Sequence, residues 1–333
     1  MSDKHILIIG SGSVGKRHAR NLAALGCRVS CMDPRADRRE EMKSEVALVG
    51  SFASEADAFE AARYDGVVIG SPPHVHVAQT IQALEAGCPV LLEKPVCPDL
   101  QGALRLKDAA DRSNVPLLMG YTWRWWPPLA DVRRRLAENA IGKIVHVQFH
   151  MSAHLADWHP WERYQDFFMA QREQGGGALL DESHWIDLML WLFGMPKSVS
   201  GRIDKISSLE IVSDDNVDLI FSYENGPRVT MHLDLYGRPH EKFIRFVGEG
   251  GTLFWSADPN QLSIGRSATS DWDRTGYSCE RNDMFVAVAR EFLSVLDGAP
   301  VTTCRLEDGV RVLRVVEAAR EASRESRTIG IQG

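Results

Sequence analysis

The sequence lacks the cysteine patterns and the long apolar runs that mark zinc, disulfide and membrane proteins. Its six cysteines form no CxxC pair and have no His/Cys ligand spacing, so we predict reduced thiols and no bound metal. No apolar run reaches the roughly 18 residues of a membrane span, and the first residues, MSDKH, lead into a strand instead of a signal peptide. These absences predict a cytoplasmic protein.

An excess of basic charge is also lacking. The chain carries 38 Lys and Arg against 45 Asp and Glu, for a net charge of -7. This balance disfavours nucleic acid and anionic membranes as partners. With 333 residues, 44% of them hydrophobic, the chain has the length and composition of a globular protein of two domains.

The amino-terminal motif is a glycine-rich turn. An apolar segment, 5–9, leads into Gly-Ser-Gly-Ser-Val-Gly at 10–15 and then into a helical pattern. This is the G-x-G-x-x-G fingerprint in its strand–turn–helix context, in which the glycines allow a tight turn, close approach of a pyrophosphate and close packing of the helix. An unrelated tight turn is the alternative. The predicted cofactor-binding residues of this turn are Gly10, Gly12, Ser13, Val14 and Gly15.

An acidic residue follows the second strand. Asp33 comes directly after the strand-like segment 28–32, where a carboxylate can accept hydrogen bonds from the ribose hydroxyls and would repel a 2′-phosphate. The sequence therefore favours NAD. Arg35 and Arg38 lie close by and would partly offset that repulsion, so NADP stays possible.

Strand-like and helix-like segments alternate up to about residue 121, which predicts a parallel sheet with helices on both faces. Sites in such folds lie at the carboxyl ends of the strands. One such end carries Ser-Pro-Pro-His-Val-His at 71–76. We predict that Ser71, Pro72 and His76 contact the cofactor, with local hydrogen bonds as the alternative for His74 and His76.

A second strand end carries Glu93-Lys94-Pro95. A lysine at an apolar strand end is partly desolvated, and its cation can stabilise a developing alkoxide. A solvated Glu–Lys ion pair explains the tripeptide equally well. We predict that Glu93 and Lys94 belong to the cofactor site and that Lys94 is also catalytic.

The segment from Gly175 to Gly194 opens with three glycines and is then predicted to form one mostly apolar helix of about four turns, which ends at Gly194. Asp181, His184 and Asp187 recur at every third residue along it, which places them on one broad face of about 120°. That face can line a cavity. A satisfied buried polar network is the alternative.

Taken together, these motifs resemble the Gfo/Idh/MocA family, named for glucose-fructose oxidoreductase, inositol dehydrogenase and rhizopine catabolism. The resemblance covers nearly the whole chain, because four motifs occur in the right order. It implies an α/β protein with an NAD(P)-binding Rossmann domain, residues 1–122, followed by a substrate-binding and oligomerisation domain, residues 123–333. The second domain is expected to hold a large open, mostly antiparallel sheet and to form homodimers or homotetramers.

The resemblance also implies residue roles. Lys94 would lie beside the nicotinamide and the substrate hydroxyl, His184 would be the acid/base, and Asp181 would accompany it. The common pattern places that aspartate four residues before the histidine, but Leu180 holds that position here. A branch of the family that shares the segment Asp157–Trp161 has the shorter spacing.

An aromatic stretch opens the second domain. Trp-Arg-Trp-Trp at 123–126 offers faces suited to sugar rings, and an arginine can clamp a carboxylate or phosphate; core packing is an equal alternative for each tryptophan. We predict that Arg124 and Tyr164 bind substrate, together with Asp181 and His184.

These features predict an NAD-dependent oxidoreductase that transfers a hydride between a nicotinamide cofactor and a secondary alcohol or ketone of a sugar, cyclitol or sugar acid. Two alternatives use the same fold. One is a sugar-sensing regulator that binds NAD without turnover. The other is an NAD-dependent glycosidase, in which the oxidation is transient.

Overall fold

The computed structural model describes residues 3–158, 162–268 and 271–332 and divides into two compact units. The first unit comprises Met1–Trp125 with Arg281–Val310, and the second comprises Trp126–Glu280 with Arg311–Gly333. The predicted domains, 1–122 and 123–333, differ from these units chiefly in the segment 281–310, which the prediction assigned to the second domain. Within the described ranges, no helix is both long and apolar enough to cross a membrane.

The first unit is built on a six-stranded parallel sheet with the strand order β3-β2-β1-β4-β5-β6. Its strands are β1 His5–Ile9, β2 Arg28–Met32, β3 Leu48–Phe52, β4 Gly66–Ile69, β5 Val90–Glu93 and β6 Leu117–Gly120. This is the Rossmann order, and the predicted α/β fold is confirmed. The order reverses between β1 and β4, so a crevice for a dinucleotide opens at their carboxyl ends.

Helices flank this sheet, and local capping explains two of their starts. They are α1 Ser13–Ala24, α2 Ala36–Glu45, α3 Glu55–Ala61, α4 His76–Glu85, α5 Leu100–Ser113 and, later in the chain, α9 Arg281–Leu296 and the start of α10 Leu306–Glu325. Ser54 Oγ accepts a hydrogen bond from the amide of Asp57 at the start of α3, and Asp99 Oδ1 accepts one from Gly102 at the start of α5. Such caps satisfy amides that have no partner within the helix.

The core of the first unit explains why the segment 281–310 belongs to it. Val288, Ala289 and Phe292 of α9 are fully buried in one hydrophobic cluster with Ile6 and Leu22. The sequence cannot reveal this packing, because an amphipathic helix shows which of its faces is buried but not which distant segment buries it.

The second unit holds a nine-stranded sheet in the order β14-β13-β12-β11-β7-β10-β9-β8-β15. Its strands are β7 Ile144–Ser152, β8 Ser198–Asp204, β9 Asn216–Ser222, β10 Arg228–Asp234, β11 Glu241–Gly248, β12 Gly251–Ala257, β13 Asn260–Gly265, β14 Asp273–Gly276 and β15 Ile329–Gly330. Among the described strands of this sheet, β7 and β10 pair in parallel and the other neighbours pair antiparallel. The predicted mostly antiparallel sheet is confirmed.

One face of this sheet is covered by helix. The helices of the second unit are α6 Pro127–Ala137, α7 Ala178–Asp181 and α8 His184–Phe193, with the rest of α10. Trp185 of α8 packs against Phe149 of β7 and Trp255 of β12, with ring centroids 6.2 and 6.4 Å apart. All three side chains are almost fully buried, so burial of aromatic surface fixes α8 on the sheet.

The prediction of a single helix after the three glycines at 175–177 is wrong. The structure forms two helices, α7 and α8, separated at Glu182 and Ser183. The amide of Ser183 bonds to the carbonyl of Leu180 and that of Trp185 to Glu182, which are the i to i+3 bonds of a tighter turn. Asp181 therefore ends one helix and His184 begins the next, so the even helical spacing that placed them on one face does not hold.

Candidate active site

The glycine turn has the geometry that a dinucleotide requires. Gly10 has φ +93°, and a Cβ there would lie 2.6 Å from the amide nitrogen of Ser71. A Cβ on Gly15 would lie 1.9 Å from the carbonyl oxygen of Gly10, whereas one on Gly12 would meet only Arg38 Nη1, at 3.7 Å. The first and third glycines are thus fixed by close packing, and the second leaves open space. Since α1 begins at residue 13, its amino-terminal amides lie beside that space, where they can bind phosphate.

Asp33 is held at the edge of this turn. Its Oδ2 accepts a hydrogen bond from the amide of Ser11 over 2.7 Å, and its Oδ1 accepts one from the amide of Arg35 over 2.9 Å. The guanidinium of Arg35 is paired with Asp37, so its charge is partly offset. The structure thereby fits NAD at this site, with an anchored carboxylate beside the open space over Gly12.

The segment 71–76 is placed differently from its prediction. Ser71 Oγ donates to Gln79 Oε1 over 2.5 Å. His76 is fully buried, with Nδ1 2.9 Å from the carbonyl oxygen of Pro95 and Nε2 2.8 Å from that of Ser71. Both ring nitrogens face the main chain, so this placement does not favour the cofactor contact predicted for His76, while the predictions for Ser71 and Pro72 stay predictions.

Glu93 and Lys94 stand at the end of β5, and Glu93 has a partner that sequence reasoning missed. Its carboxylate Oε1 lies 2.6 Å from Nε2 of His18, which α1 supplies, and both side chains are buried. Lys94 itself is half-buried, and its peptide bond to Pro95 is cis. The only signal for His18 in the sequence is a lone histidine in the first helix, which by itself predicts no partner.

The second unit gathers its own ionisable residues around the break between α7 and α8. Asp181 and Glu182 are 6% and 7% exposed, Asp187 is fully buried, and His184 is half-buried. Glu182 Oε2 accepts a hydrogen bond from Nε1 of Trp185 over 3.0 Å. Buried charges are costly unless they are paired or hydrogen-bonded, so these residues fit either the predicted site or the alternative of a satisfied buried polar network.

The glycines before α7 also have a structural reason. Gly177 has φ +112°, and a Cβ there would lie 2.3 Å from Asp214 Oδ1. Asp214 Oδ2 accepts a hydrogen bond from the amide of Leu179, and its carbonyl accepts one from Ala178, both over 2.9 Å. Burial raises the pKa of the Asp214 carboxyl group. Asp214, which the sequence did not reveal, therefore acts as the cap of α7 and fixes the start of the segment that carries Asp181.

The predicted substrate residues have partners inside their own units. Arg124 is 7% exposed, and its Nη1 lies 2.8 Å from the carbonyl oxygen of Thr303 and 3.3 Å from Asp308 Oδ2. Tyr164 is half-buried, and its hydroxyl accepts a hydrogen bond from the amide of Glu210. The structure thus gives Arg124 an internal carboxylate partner in place of a substrate anion.

The neighbouring tryptophans mostly favour the core alternative. Trp126 is 5% exposed, and Trp125 packs on the core of the first unit while its Nε1 donates to Glu291. Residues 159–161, which include Trp161 and most of the branch-specific segment, lie outside the described residues.

Two family models match the chain. Residues 4–121 match the oxidoreductase family with an NAD-binding Rossmann fold, and residues 129–254 match the carboxyl-terminal domain of the Gfo/Idh/MocA family. The chain belongs to the Gfo/Idh/MocA family. The predicted resemblance is confirmed, and so are the oxidoreductase class and the nicotinamide cofactor.

Two curated relatives of this family member cover most of its length. It is 29% identical over 298 residues to the scyllo-inositol 2-dehydrogenase (NADP(+)) IolW of Bacillus subtilis, covering 80% of this chain and 78% of the relative. It is 28% identical over 325 residues to the rhizopine catabolism protein MocA of Rhizobium meliloti, covering 94% and 93%.

Solved structures share its fold. Levoglucosan dehydrogenase in complex with NADH superposes with a TM-score of 0.89 at 17% identity, covering 99% of this chain and 100% of the other. The WlbA dehydrogenase of Bordetella pertussis, in complex with NADH and UDP-GlcNAcA, superposes with a TM-score of 0.83 at 20% identity, covering all of both chains. At these identities the likeness shows the fold.

Proposed function

We propose that this family member is an NAD-dependent dehydrogenase that acts on a secondary alcohol, or the matching ketone, of a sugar, cyclitol or sugar acid. The observation that carries the proposal is the carboxyl edge of the parallel sheet. There, the open space over Gly12 and the anchored Asp33 suit a dinucleotide, and Lys94 directly follows the last residue of β5 at the same edge. Relatives named for inositol and levoglucosan support the substrate class.

Lys94 is the residue that stabilises the oxyanion. An ammonium group at an apolar strand end is partly desolvated, and its electrostatic interaction with a developing alkoxide is stronger there than in water. When bound, NAD supplies the hydride acceptor. Glu93 supports Lys94 from the preceding position, and the glycine turn, Asp33, Ser71 and Pro72 hold the cofactor.

His184 is the acid/base. A half-buried imidazole at the amino terminus of a helix can take the proton of the substrate hydroxyl as the carbinol hydride leaves. Asp181, which ends α7 directly before the turn to His184, orients the ring or stabilises its charge. Tyr164 contributes to substrate binding. For Arg124 to bind a substrate anion, its guanidinium must first give up its contact with the carboxylate of Asp308.

Anchoring of Asp33 supports a preference for NAD over NADP. Its negative charge stands where a 2′-phosphate would bind. Arg38, whose Nη1 lies near Gly12, lessens the preference without reversing it.

Assembly into a homodimer or homotetramer belongs to the same proposal. The outer face of the nine-stranded sheet carries apolar side chains that are exposed or half-buried, among them Ile220, which is 42% exposed, Phe243 and Phe254. Exposed apolar patches on a sheet are typical of protein interfaces. Sedimentation of the purified protein tests the assembly, and a monomer at all concentrations would contradict it.

Localisation in the cytoplasm is also part of the proposal. The six cysteines are free thiols, which suits a reducing compartment such as the cytoplasm.

A panel assay tests the proposed activity. Purified protein is incubated with NAD or NADP and a set of sugars, cyclitols and sugar acids while reduced nicotinamide is followed. We expect turnover with one substrate class and NAD, lost in Lys94→Ala and His184→Ala and kept in Lys143→Ala, which changes an exposed lysine. Tight NAD binding with no turnover across the panel would contradict the proposal and favour a regulator.

A further inference from the structure

Two fully buried histidines contact the residues on either side of Lys94. His18 comes from α1 and His76 from α4. His18 reaches Glu93, directly before the lysine, and His76 reaches Pro95, directly after it. Neither contact is local in sequence, and neither is needed to form the helix that supplies the histidine.

The first contact fixes the Glu93 carboxylate. Its Oε1 accepts a hydrogen bond from His18 Nε2 over 2.6 Å, and its Oε2 faces the amide of Lys94 at 3.3 Å. The carboxylate also lies on the Cα of Gly120, where an added Cβ would stand 3.0 Å from Cδ and Oε1. Because Gly120 packs closely on one side of the carboxylate, His18 is the group that fixes its direction. The carboxylate in turn fixes the position of the Lys94 amide, which faces Oε2.

The second contact fixes the main chain after Lys94. His76 lies between the carbonyl oxygens of Pro95 and Ser71, within hydrogen-bond distance of both, so its buried ring packs between the segment after β5 and the end of β4. Burial lowers the pKa of His76, which favours the neutral ring. Because a carbonyl oxygen only accepts hydrogen bonds, the neutral ring donates to one of the two oxygens at a time.

We propose that His18 and His76 are positioning residues that hold the main chain on both sides of Lys94 and thereby direct its ammonium group. The inference rests on the proposed role of Lys94. It gives a reason for the burial of His18, which the sequence did not reveal. It also gives one for the burial of His76, whose position between two carbonyl oxygens does not favour the predicted cofactor contact. Displacing a reacting group by about 1 Å lowers the rate roughly 10²-fold, so loss of the contacts made by His18 and His76 should lower the rate measurably.

Four variants separate positioning from folding. His18→Leu and His76→Leu remove the hydrogen bonds, whereas His18→Gln and His76→Gln keep an N–H donor. His5→Leu is the matched control, because His5 is also buried and bonded, to Ser30 Oγ over 2.9 Å, but at the amino end of β1. His18→Leu leaves the buried carboxylate of Glu93 without its partner and can for that reason fail to fold. In that case the double variant His18→Leu/Glu93→Leu, which removes both polar groups, takes the place of the single variant.

Turnover is the first measurement. In the two leucine variants we expect kcat to fall by about 10²-fold with little change in the dissociation constant of NAD. Most of that loss should be recovered in the glutamine variants, and His5→Leu should keep the kcat of the wild type. Adding Lys94→Ala to His18→Leu should lower kcat no further than Lys94→Ala alone, since both changes act through one group.

Lysine reactivity is the second measurement and needs no substrate. The rate at which acetic anhydride modifies Lys94 is followed by peptide mass spectrometry, with the exposed Lys143 as the internal reference. We expect Lys94, released from its fixed direction, to react severalfold faster in both leucine variants, and at the wild-type rate in His5→Leu.

The two measurements distinguish the inference from the function on which it rests. Folded His18→Leu and His76→Leu proteins with wild-type kcat and a wild-type or lower rate of Lys94 acetylation would overturn the inference. A Lys94→Ala protein with wild-type turnover would instead overturn the catalytic role of Lys94, and the acetylation rates would still decide whether the histidines position it.

Discussion

The amide of Ser11 donates a hydrogen bond to Asp33 Oδ2 over 2.7 Å and so joins the glycine turn to the end of β2. Ser11 is fully buried within the turn. The carboxylate that is proposed to bind the ribose is therefore part of the same hydrogen-bonded unit as the residues that are proposed to bind the pyrophosphate. We therefore expect recognition of the two parts of the dinucleotide to be coupled.

Replacing Asp33 should change the cofactor preference. Asp33→Ser removes the negative charge and keeps a small acceptor for the amide of Ser11, so affinity for NAD should fall while affinity for NADP rises. We expect the ratio of the two dissociation constants to move by at least about tenfold, or 1.4 kcal/mol. Cofactor fluorescence measures both constants. Asp57→Ser, an exposed aspartate at the start of α3, is the control; an unchanged ratio in Asp33→Ser would remove Asp33 from the cofactor site.

The glycine turn makes two different predictions. Gly12→Ala should fold normally, since its φ of -73° suits alanine and the nearest atom to the new Cβ is 3.7 Å away, but its methyl group occupies the open space and should weaken NAD binding. Gly15→Ala should destabilise the fold by about 3 kcal/mol or more, because its Cβ overlaps a main-chain oxygen. Denaturant unfolding and NAD titration separate the two effects. Gly276→Ala, with no atom within 4 Å, should match the wild type in both, and tight NAD binding by Gly12→Ala would refute the assignment.

The outer face of the nine-stranded sheet should give stability a pH dependence. Hydrogen bonds to Asp234 and to Asp218 raise the pKa of His232 from 6.5 to about 8, and its ring stacks on His150 at 5.2 Å. A raised histidine pKa contributes stability that is fully present below pH 6.5 and is lost as pH rises through about 8.

Removing His232 tests this dependence. The contribution should be about 1 kcal/mol after solvent screening, since the side chain is 28% exposed. His232→Gln should therefore be less stable than the wild type in mildly acidic solution and nearly equal to it in alkaline solution, as measured by denaturant midpoints on both sides of this window. His146→Gln, on the same sheet face, is the control. Equal loss of stability at both pH values would show that His232 acts by packing alone.

Sequence patterns predicted the local structure around the candidate site. The glycine turn, Asp33 and the Glu93-Lys94 pair do follow their strands at the same edge of the sheet, because the fingerprint fixes which residues follow each strand, and their functional roles stay predictions. The patterns failed where contacts join distant residues: His18 and Glu93 are 75 residues apart, and Leu179 and Asp214 are 35 apart. Neither pairing has a sequence signature. The break between α7 and α8 was missed because helical periodicity continues across the turn.

The most direct test of the central claim is to follow a hydride. A substrate from the panel is labelled with deuterium at the carbinol carbon, and the cofactor and sugar products are analysed by mass spectrometry. We predict that the wild type releases deuterated NADH together with the ketone, and that Lys94→Ala and His184→Ala release neither. Release of a shortened sugar without free NADH would contradict a dehydrogenase and identify a glycosidase in which the oxidation is transient, and an unlabelled cofactor would contradict hydride transfer from that carbon.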